Sequence, residues 1–309
     1  MRPIIAAMRA AAASGAPAST VPLTQMRMRA AAQFAPWNAD PPALASVHDF
    51  DVPGGTGQRR ARLYDPRGRT PVPLLLYLHG GGWVIGDLDM EDRALRVLAL
   101  ESGARIVSLD YRLAPEHPFP AALQDAVAAF GWLRAHAGEL GGTADSLAIG
   151  GASAGANIAL GATLDLRNRG QTLPALMVLM YGVYGTERTT ESDRLFGSPE
   201  LSGPLVHMQR FYDAYAGAPG QQDDPRVAPL RADLAGLPPV FLNAAGLDPL
   251  RDDSRQLRDR LQQAGVPVHY AEYPGVLHGF TQYTRTSPTA RQALREAGAA
   301  IAARLAPLD

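Results

Sequence analysis

The chain has 309 residues, 46% of them hydrophobic, with 29 basic and 30 acidic side chains and a net charge of -1. Such a composition fills a sizeable core and argues against disorder, and so balanced a charge recruits neither nucleic acid nor an anionic membrane surface. Every basic residue is Arg and there is no Cys, which excludes a Ser-Lys dyad, a Schiff-base or phosphate-loop lysine, disulfides, thiolate nucleophiles and Cys-based zinc sites.

Residues 1–45 read as two short helices, about 3–14 and 22–35, with Trp37 and Pro41-Pro42 ending helical structure. Arg9, Arg27 and Arg29 stud the Ala-rich start, which therefore reads as amphipathic helices rather than a secretory signal. No run approaches the roughly 18 apolar residues of a membrane span, and a cytoplasmic location is expected. Val47 to Val52 and Arg60 to Tyr64 alternate as two early strands around Pro53-Gly54-Gly55. Val72 to Leu78 and Arg105 to Leu109 are apolar runs of strand length, as expected of central strands buried on both faces. Helical patterns follow them, about 91–102 and 121–136. Ser146 to Ile149 is the next strand, with a helix from Ala156, and Ala175 to Met180 is another. Residues 184–235 break this rhythm, being polar and punctuated by Gly and Pro, with one helical patch around Leu205 to Tyr215. The rhythm resumes with Pro239 to Ala244, a helix about 254–263, Val268 to Tyr273 and a last helix about 289–305. Strands alternating with helices predict an α/β fold, a mostly parallel sheet of about eight strands with helices on both faces. Ligands of such sheets bind beyond the carboxyl ends of the strands.

One of those ends carries Gly151-Ala152-Ser153-Ala154-Gly155, a strand-to-helix turn with serine at its apex. Glycines flank the serine where a Cβ would collide with the tight crossing, and the helix N-terminus favours developing negative charge. The pentapeptide alone is common enough to arise as an ordinary Gly-rich turn, so its partners decide. A serine hydroxyl needs a positioned base. Downstream of Ser153 stand His207 in the irregular segment, His269 inside a strand, and His278 in a loop just past the last strand. Loop position favours His278. Asp248 follows the preceding strand end and can hold that imidazole, whereas Asp252 and Asp253 read as acids at a helix N-terminus. Gly80, Gly81 and Gly82 follow a buried strand. With the amide of Ala154, those of Gly81 and Gly82 would aim donors at one oxyanion. A phosphate-binding glycine loop is the rival reading, but neither G-x-G-x-x-G spacing nor a lysine accompanies it.

Together these pieces resemble the hormone-sensitive-lipase-like group of α/β-hydrolases, the bacterial family IV esterases, over nearly the whole chain. The resemblance rests on His79-Gly80-Gly81-Gly82, Asp110 to His117, the serine turn, Asp248 to Asp252 and His278-Gly279-Phe280. It implies an α/β-hydrolase core over 46–183 and 236–309, N-terminal cap helices over 1–45 and a second cap segment over 184–235. It also implies that His79 and Glu116 organise loops rather than react. Ala152 departs from the Asp or Thr usual before the nucleophile, and Ala156 from a usual glycine, which touches rate and pH profile rather than reaction class.

The expected function is a serine carboxylesterase acting on short-chain acyl esters through an acyl-serine, with no cofactor and no metal. Phe34, Trp37, Leu205, Phe211 and Tyr212 are expected to roof the acyl pocket, with Trp83 beside the glycine loop. The rivals are a non-catalytic small-molecule receptor, which would lack the working histidine, and a peptidase or lactonase. The last strand could lie at an open sheet edge, where a second copy would pair to make a homodimer.

Overall fold

The computed structural model describes residues 21–68, 71–198 and 208–305; the expected helix about 3–14, Leu205 and His207 lie outside the described residues. Among the described residues eight strands form one sheet: β1 Ser46–Pro53, β2 Gln58–Asp65, β3 Leu74–Leu78, β4 Arg105–Leu109, β5 Leu147–Ala152, β6 Met177–Met180, β7 Val240–Ala245 and β8 Val268–Tyr273. Their order is β1-β2-β4-β3-β5-β6-β7-β8. β2 pairs antiparallel with both β1 and β4, and every other pair is parallel. After β3 the chain goes outward to β4 and then returns to β5 on the other side, so a crevice opens beyond the carboxyl ends of β3 and β5.

The helices are α1 Leu23–Asn38, α2 Asp92–Ser102, α3 Ala121–Ala135, α4 Ala154–Asn168, α5 Glu191–Phe196, α6 Met208–Ala216, α7 Arg251–Gln263 and α8 Pro288–Leu305. Strand side chains alternate between two apolar layers. Leu74, Leu76 and Leu78 join α3, α4 and α7 on one face, while Leu75 and Tyr77 join α2 and α8 on the other. Burial on both faces is why these strands read as continuous apolar runs. Among the described residues no helix is long and apolar enough to cross a membrane.

Two segments depart from the regular alternation. α1 continues through Pro36 and past Trp37 to Asn38, further than the helix expected to stop near residue 35. Its end is fixed by tertiary contacts: the Asn38 amide donates to the carbonyls of Asp89 and Met90 at 2.9 and 3.0 Å and accepts the amide of Arg93. α6 buries Met208, Phe211, Tyr212 and Tyr215, a stripe at helical spacing that faces the body of the protein.

Asp253 lies in the first turn of α7, as an acid favouring a helix N-terminus should, but its carboxylate is buried and has a further task. One oxygen accepts the amides of Tyr184 and Gly185, each at 2.9 Å, which ties the start of the irregular segment to α7. Burial pushes its pKa up from 3.8 to about 6, against the opposing pull of Arg188 and those two amides. Between these values the native state holds more protons than the unfolded chain, so rising pH removes stability across that window. Asp253→Asn keeps an acceptor and abolishes the titration. Urea unfolding should therefore show wild type losing about 2 kcal/mol relative to Asp253→Asn between about pH 4 and pH 6. Parallel pH profiles for the two proteins would contradict this account.

Candidate active site

Ser153 stands between the last residue of β5 and the first of α4, at φ 53° and ψ -118°. A left-handed φ for a non-glycine residue costs on the order of 1–3 kcal/mol and persists only where the surroundings impose it. They do so here through the carbonyl of Leu78, at the end of β3. A Cβ on Gly151 would come within 2.4 Å of that oxygen, and one on Gly155 within 1.9 Å of it and 2.6 Å of the His79 carbonyl. Only glycine fits two positions before and two positions after the serine, and the serine side chain is left at the apex.

His278 follows β8 and brings its Nε2 to 2.9 Å from Ser153 Oγ. Its Nδ1 lies 2.7 Å from an oxygen of Asp248. A carboxylate only accepts, so Nδ1 carries the proton and Nε2 accepts from the serine hydroxyl. Asp248 is fully buried, and its other oxygen accepts the amide of Leu250 at 2.8 Å. The acid and base loops are joined directly: Gly246 N–H donates to the carbonyl of Tyr273 and Leu247 N–H to that of Val276, at 2.8 and 2.9 Å. Tyr181, at the end of β6, sets its ring edge-on to the imidazole at 5.2 Å between centroids.

The glycine loop lies opposite. The carbonyl of Gly81 accepts the amides of Val84 and Ile85 at 3.2 and 3.0 Å, with φ 118° at Gly81 and 58° at Gly82. Among the described residues, no protein acceptor pairs with the amides of Gly81, Gly82 or Ala154. His79 turns away from the reacting groups: its ring stacks on Tyr111 at 4.3 Å and its Nδ1–H donates to the Gly80 carbonyl at 2.7 Å. Glu116 is exposed and pairs with Arg27 at 2.7 Å.

A family profile described as the alpha/beta hydrolase fold matches residues 75–282. The chain belongs to the α/β-hydrolase fold family. An acetyl esterase of Salmonella schwarzengrund is 35% identical over 274 residues, covering 87% of this chain and 83% of the relative. A carboxylic ester hydrolase of Mycobacterium tuberculosis is 37% identical over 267 residues, covering 83% of this chain and 69% of the relative. Among solved structures, an α/β-hydrolase enzyme from the metagenome of Lake Arreo superposes with TM-score 0.91 at 38% identity, over 98% of this chain and 96% of its own. A thermostable carboxylesterase from a metagenomic library superposes with TM-score 0.89 at 34% identity, over 94% of this chain and all of its own. The resemblance to hormone-sensitive-lipase-like esterases holds, and this α/β-hydrolase is a serine carboxylesterase.

In this hydrolase the cavity at Ser153 and His278 is walled by Phe34, Met90, Met208, Phe211, Gln282 and Tyr283, among others. Phe34 and Phe211 thus face the cavity. Trp37, Trp83 and Tyr212 stand behind its walls. Trp37 meets Tyr283 edge-on at 4.8 Å; Trp83 is fully buried, stacked on Tyr215 at 4.6 Å with Tyr212 at 5.0 Å. Tyr181, Gln282 and Tyr283 are wall residues that no motif marked, although the latter two follow His278 by one helical turn. Ala152 is buried, and its methyl group joins the apolar layer of α2 and α8.

The clearance at Leu78 carries a direct test. Gly155→Ala must push the serine turn away from β3, opening the 2.9 Å contact to His278. Its kcat should fall by about 100-fold, since displacing reacting groups by about 1 Å can cost that much. A soluble Gly155→Ala enzyme with wild-type kcat would show that the turn tolerates the shift.

Proposed function

We propose that this carboxylesterase cleaves esters of short carboxylic acids, with Ser153 as nucleophile, His278 as general base and acid, and Asp248 orienting the imidazole. The hydrogen-bonded series Asp248–His278–Ser153 carries the reading. As Oγ attacks the ester carbonyl, its proton passes to His278 Nε2, and the imidazolium is stabilised by Asp248. The carbonyl oxygen becomes anionic opposite the amides of Gly81, Gly82 and Ala154, which meet the charge without reorganising. Collapse breaks the bond to the alkoxy oxygen, which takes the proton from His278 and leaves as the alcohol. Water then repeats the sequence on the acyl-serine, releasing the carboxylic acid and restoring Ser153.

Cavity size favours a short acyl chain. Bounded by the described residues, it offers about 60 Å³ to the centre of a water-sized sphere. At about 10–15 Å³ per water on that measure, it accommodates about four to six waters, a few methylenes rather than a fatty chain. Each methylene that fits adds about 0.8 kcal/mol, close to fourfold in kcat/KM, and the first that does not fit reverses the trend. Residues 1–45 and 184–235 act in this reading as a cap, with α1 and α6 contributing Phe34 and Phe211 to the cavity. A receptor on the same scaffold would have no use for a histidine bonded to both serine and buried acid.

A p-nitrophenyl ester panel tests the reading. The kcat/KM should climb from acetate to about butyrate or hexanoate and then drop steeply, with Phe211→Ala moving the drop to longer chains. Ser153→Ala and His278→Ala should each lose about three or more orders of magnitude in kcat, without additivity in the double variant. Turnover by His278→Ala near the wild-type rate would remove the assignment. Equal rates on decanoate and butyrate would remove the size argument.

A cytoplasmic location and a homodimer belong to the same reading. A chain without cysteine is compatible with a reducing compartment and leaves the redox environment open. β8 closes the strand order, which leaves its outer edge for a second copy. Light scattering should report the dimer mass, and a monomer across a wide concentration range would refute pairing.

A further inference from the structure

The glycine loop is held by a buried acid that the proposed reaction does not use. Glu91, just before α2, is 2% exposed and lines the same cavity as Ser153 and His278. Its Oε1 accepts the amide N–H of Gly80 at 2.9 Å, and its Oε2 accepts the hydroxyl of Tyr77 at 2.6 Å. Tyr77 belongs to β3 and is itself buried, so the carboxyl is anchored to the centre of the sheet. The carbonyl of Gly80 is held from the other side by His79 Nδ1–H. Gly80 also leans on the serine turn, where a Cβ would stand 3.2 Å from the Ala152 carbonyl, 3.2 Å from Glu91 Oε1 and 3.5 Å from Ser153 Cβ. Gly81 and Gly82, both at positive φ, continue from this pinned residue without side chains to restrain them.

We propose that Glu91 is a positioning residue of the hydrolysis, fixing Gly80 and through it aiming the Gly81 and Gly82 amides at the oxygen that becomes anionic. This rests on the ester-hydrolase reading above. Oxyanion donors work only within about 2.7–3.1 Å of that oxygen, so a small rotation of the loop suffices to disable them. A carboxyl suits the task because it offers two acceptors to two donors that approach from different elements. Burial raises the pKa of Glu91, while the hydrogen bonds from the Tyr77 hydroxyl and the Gly80 amide act the other way. Its charge has two opposed effects, repelling the developing oxyanion and attracting the His278 imidazolium. Its acceptor geometry has only one. The geometry should therefore dominate the rate.

The test compares Glu91→Met, which keeps volume and removes both acceptors, with Glu91→Gln, which keeps an acceptor for Gly80. Both full-length variants are assayed on p-nitrophenyl butyrate and titrated with a trifluoromethyl ketone, which forms an oxyanion adduct on Ser153. Glu91→Met should lower kcat by about 30–100-fold with KM within about threefold. The ketone's Ki should rise in proportion to the fall in kcat/KM, and Glu91→Gln should return kcat to within about fivefold of wild type. A folded Glu91→Met with wild-type kcat, a loss confined to KM, or a Glu91→Gln as impaired as Glu91→Met would each overturn the proposal. If Glu91→Met fails to fold by near-ultraviolet circular dichroism, Tyr77→Phe replaces it. Freeing Oε2 should then lower kcat several-fold at constant KM, and an unchanged kcat overturns the proposal. Ser153→Ala, run alongside, separates the two levels: if it stays active the hydrolase reading itself fails, and if it is dead beside a wild-type-like Glu91 variant only this inference does.

Discussion

The site depends on how closely the exit of β5 passes the end of β3. The carbonyl of Leu78 occupies the space that a Cβ on Gly151 or Gly155 would need, so two glycines are imposed by backbone packing rather than by chemistry at the serine. Given those glycines, Ser153 sits in a left-handed conformation and projects away from both elements. The residues immediately after Leu78 are His79 and the glycine loop. The same close approach therefore sets the distance between the serine turn and the amides opposite it. One steric constraint places both halves of the site.

The proposed acid and base are placed by a different device. Asp248 and His278 come from loops after neighbouring parallel strands, β7 and β8, and two backbone hydrogen bonds join those loops. A buried carboxylate would be costly if left bare. Here the Leu250 amide and the His278 ring each bond one of its two oxygens, which offsets part of that cost and orients the imidazole. In the proposed reaction, exclusion of water would also strengthen the interaction between Asp248 and an imidazolium on His278.

This division explains what was legible in the sequence. Buried parallel strands appear as apolar runs whatever their neighbours, and β4 and β8 begin and end where the pattern placed them. The serine turn, His278 and Asp248 were legible because loop order along such a sheet restricts the choices. The cavity walls were legible only in part, in Phe34 and Phe211. Phe211 and Tyr212 are adjacent on α6, and about 100° of helical rotation sends one ring to the cavity and the other to Trp83. Sequence alone cannot separate a ring facing a ligand from a ring facing the core. The end of α1 was misjudged because Asn38 is fastened by residues some 50 positions away, which outweighs the local signal from Pro36. Glu91 and Asp253 were missed as loop holders for the same reason, since both act on backbone amides distant in the chain.

The floor and roof of the cavity are built from different materials. At the base of the site Gly81, Gly151 and Gly155 lie against backbone carbonyls, where an added Cβ forces a shift. The roof consists of side chains from α1 and α6, such as Phe34, Met208 and Phe211, whose exchange alters volume without touching Ser153, His278 or Asp248. Substrate range should therefore vary more easily than chemistry on this scaffold. One contact joins the two. A Cβ on Gly82 would lie 2.2 Å from the ring of Phe211, so that ring rests directly against the loop that faces the oxyanion. Shortening residue 211 enlarges the cavity and also removes the surface against which Gly82 is seated. Size selection and oxyanion geometry are thus coupled at this one position, whereas Phe34 and Met208 touch size alone unless they reach the glycines through Phe211.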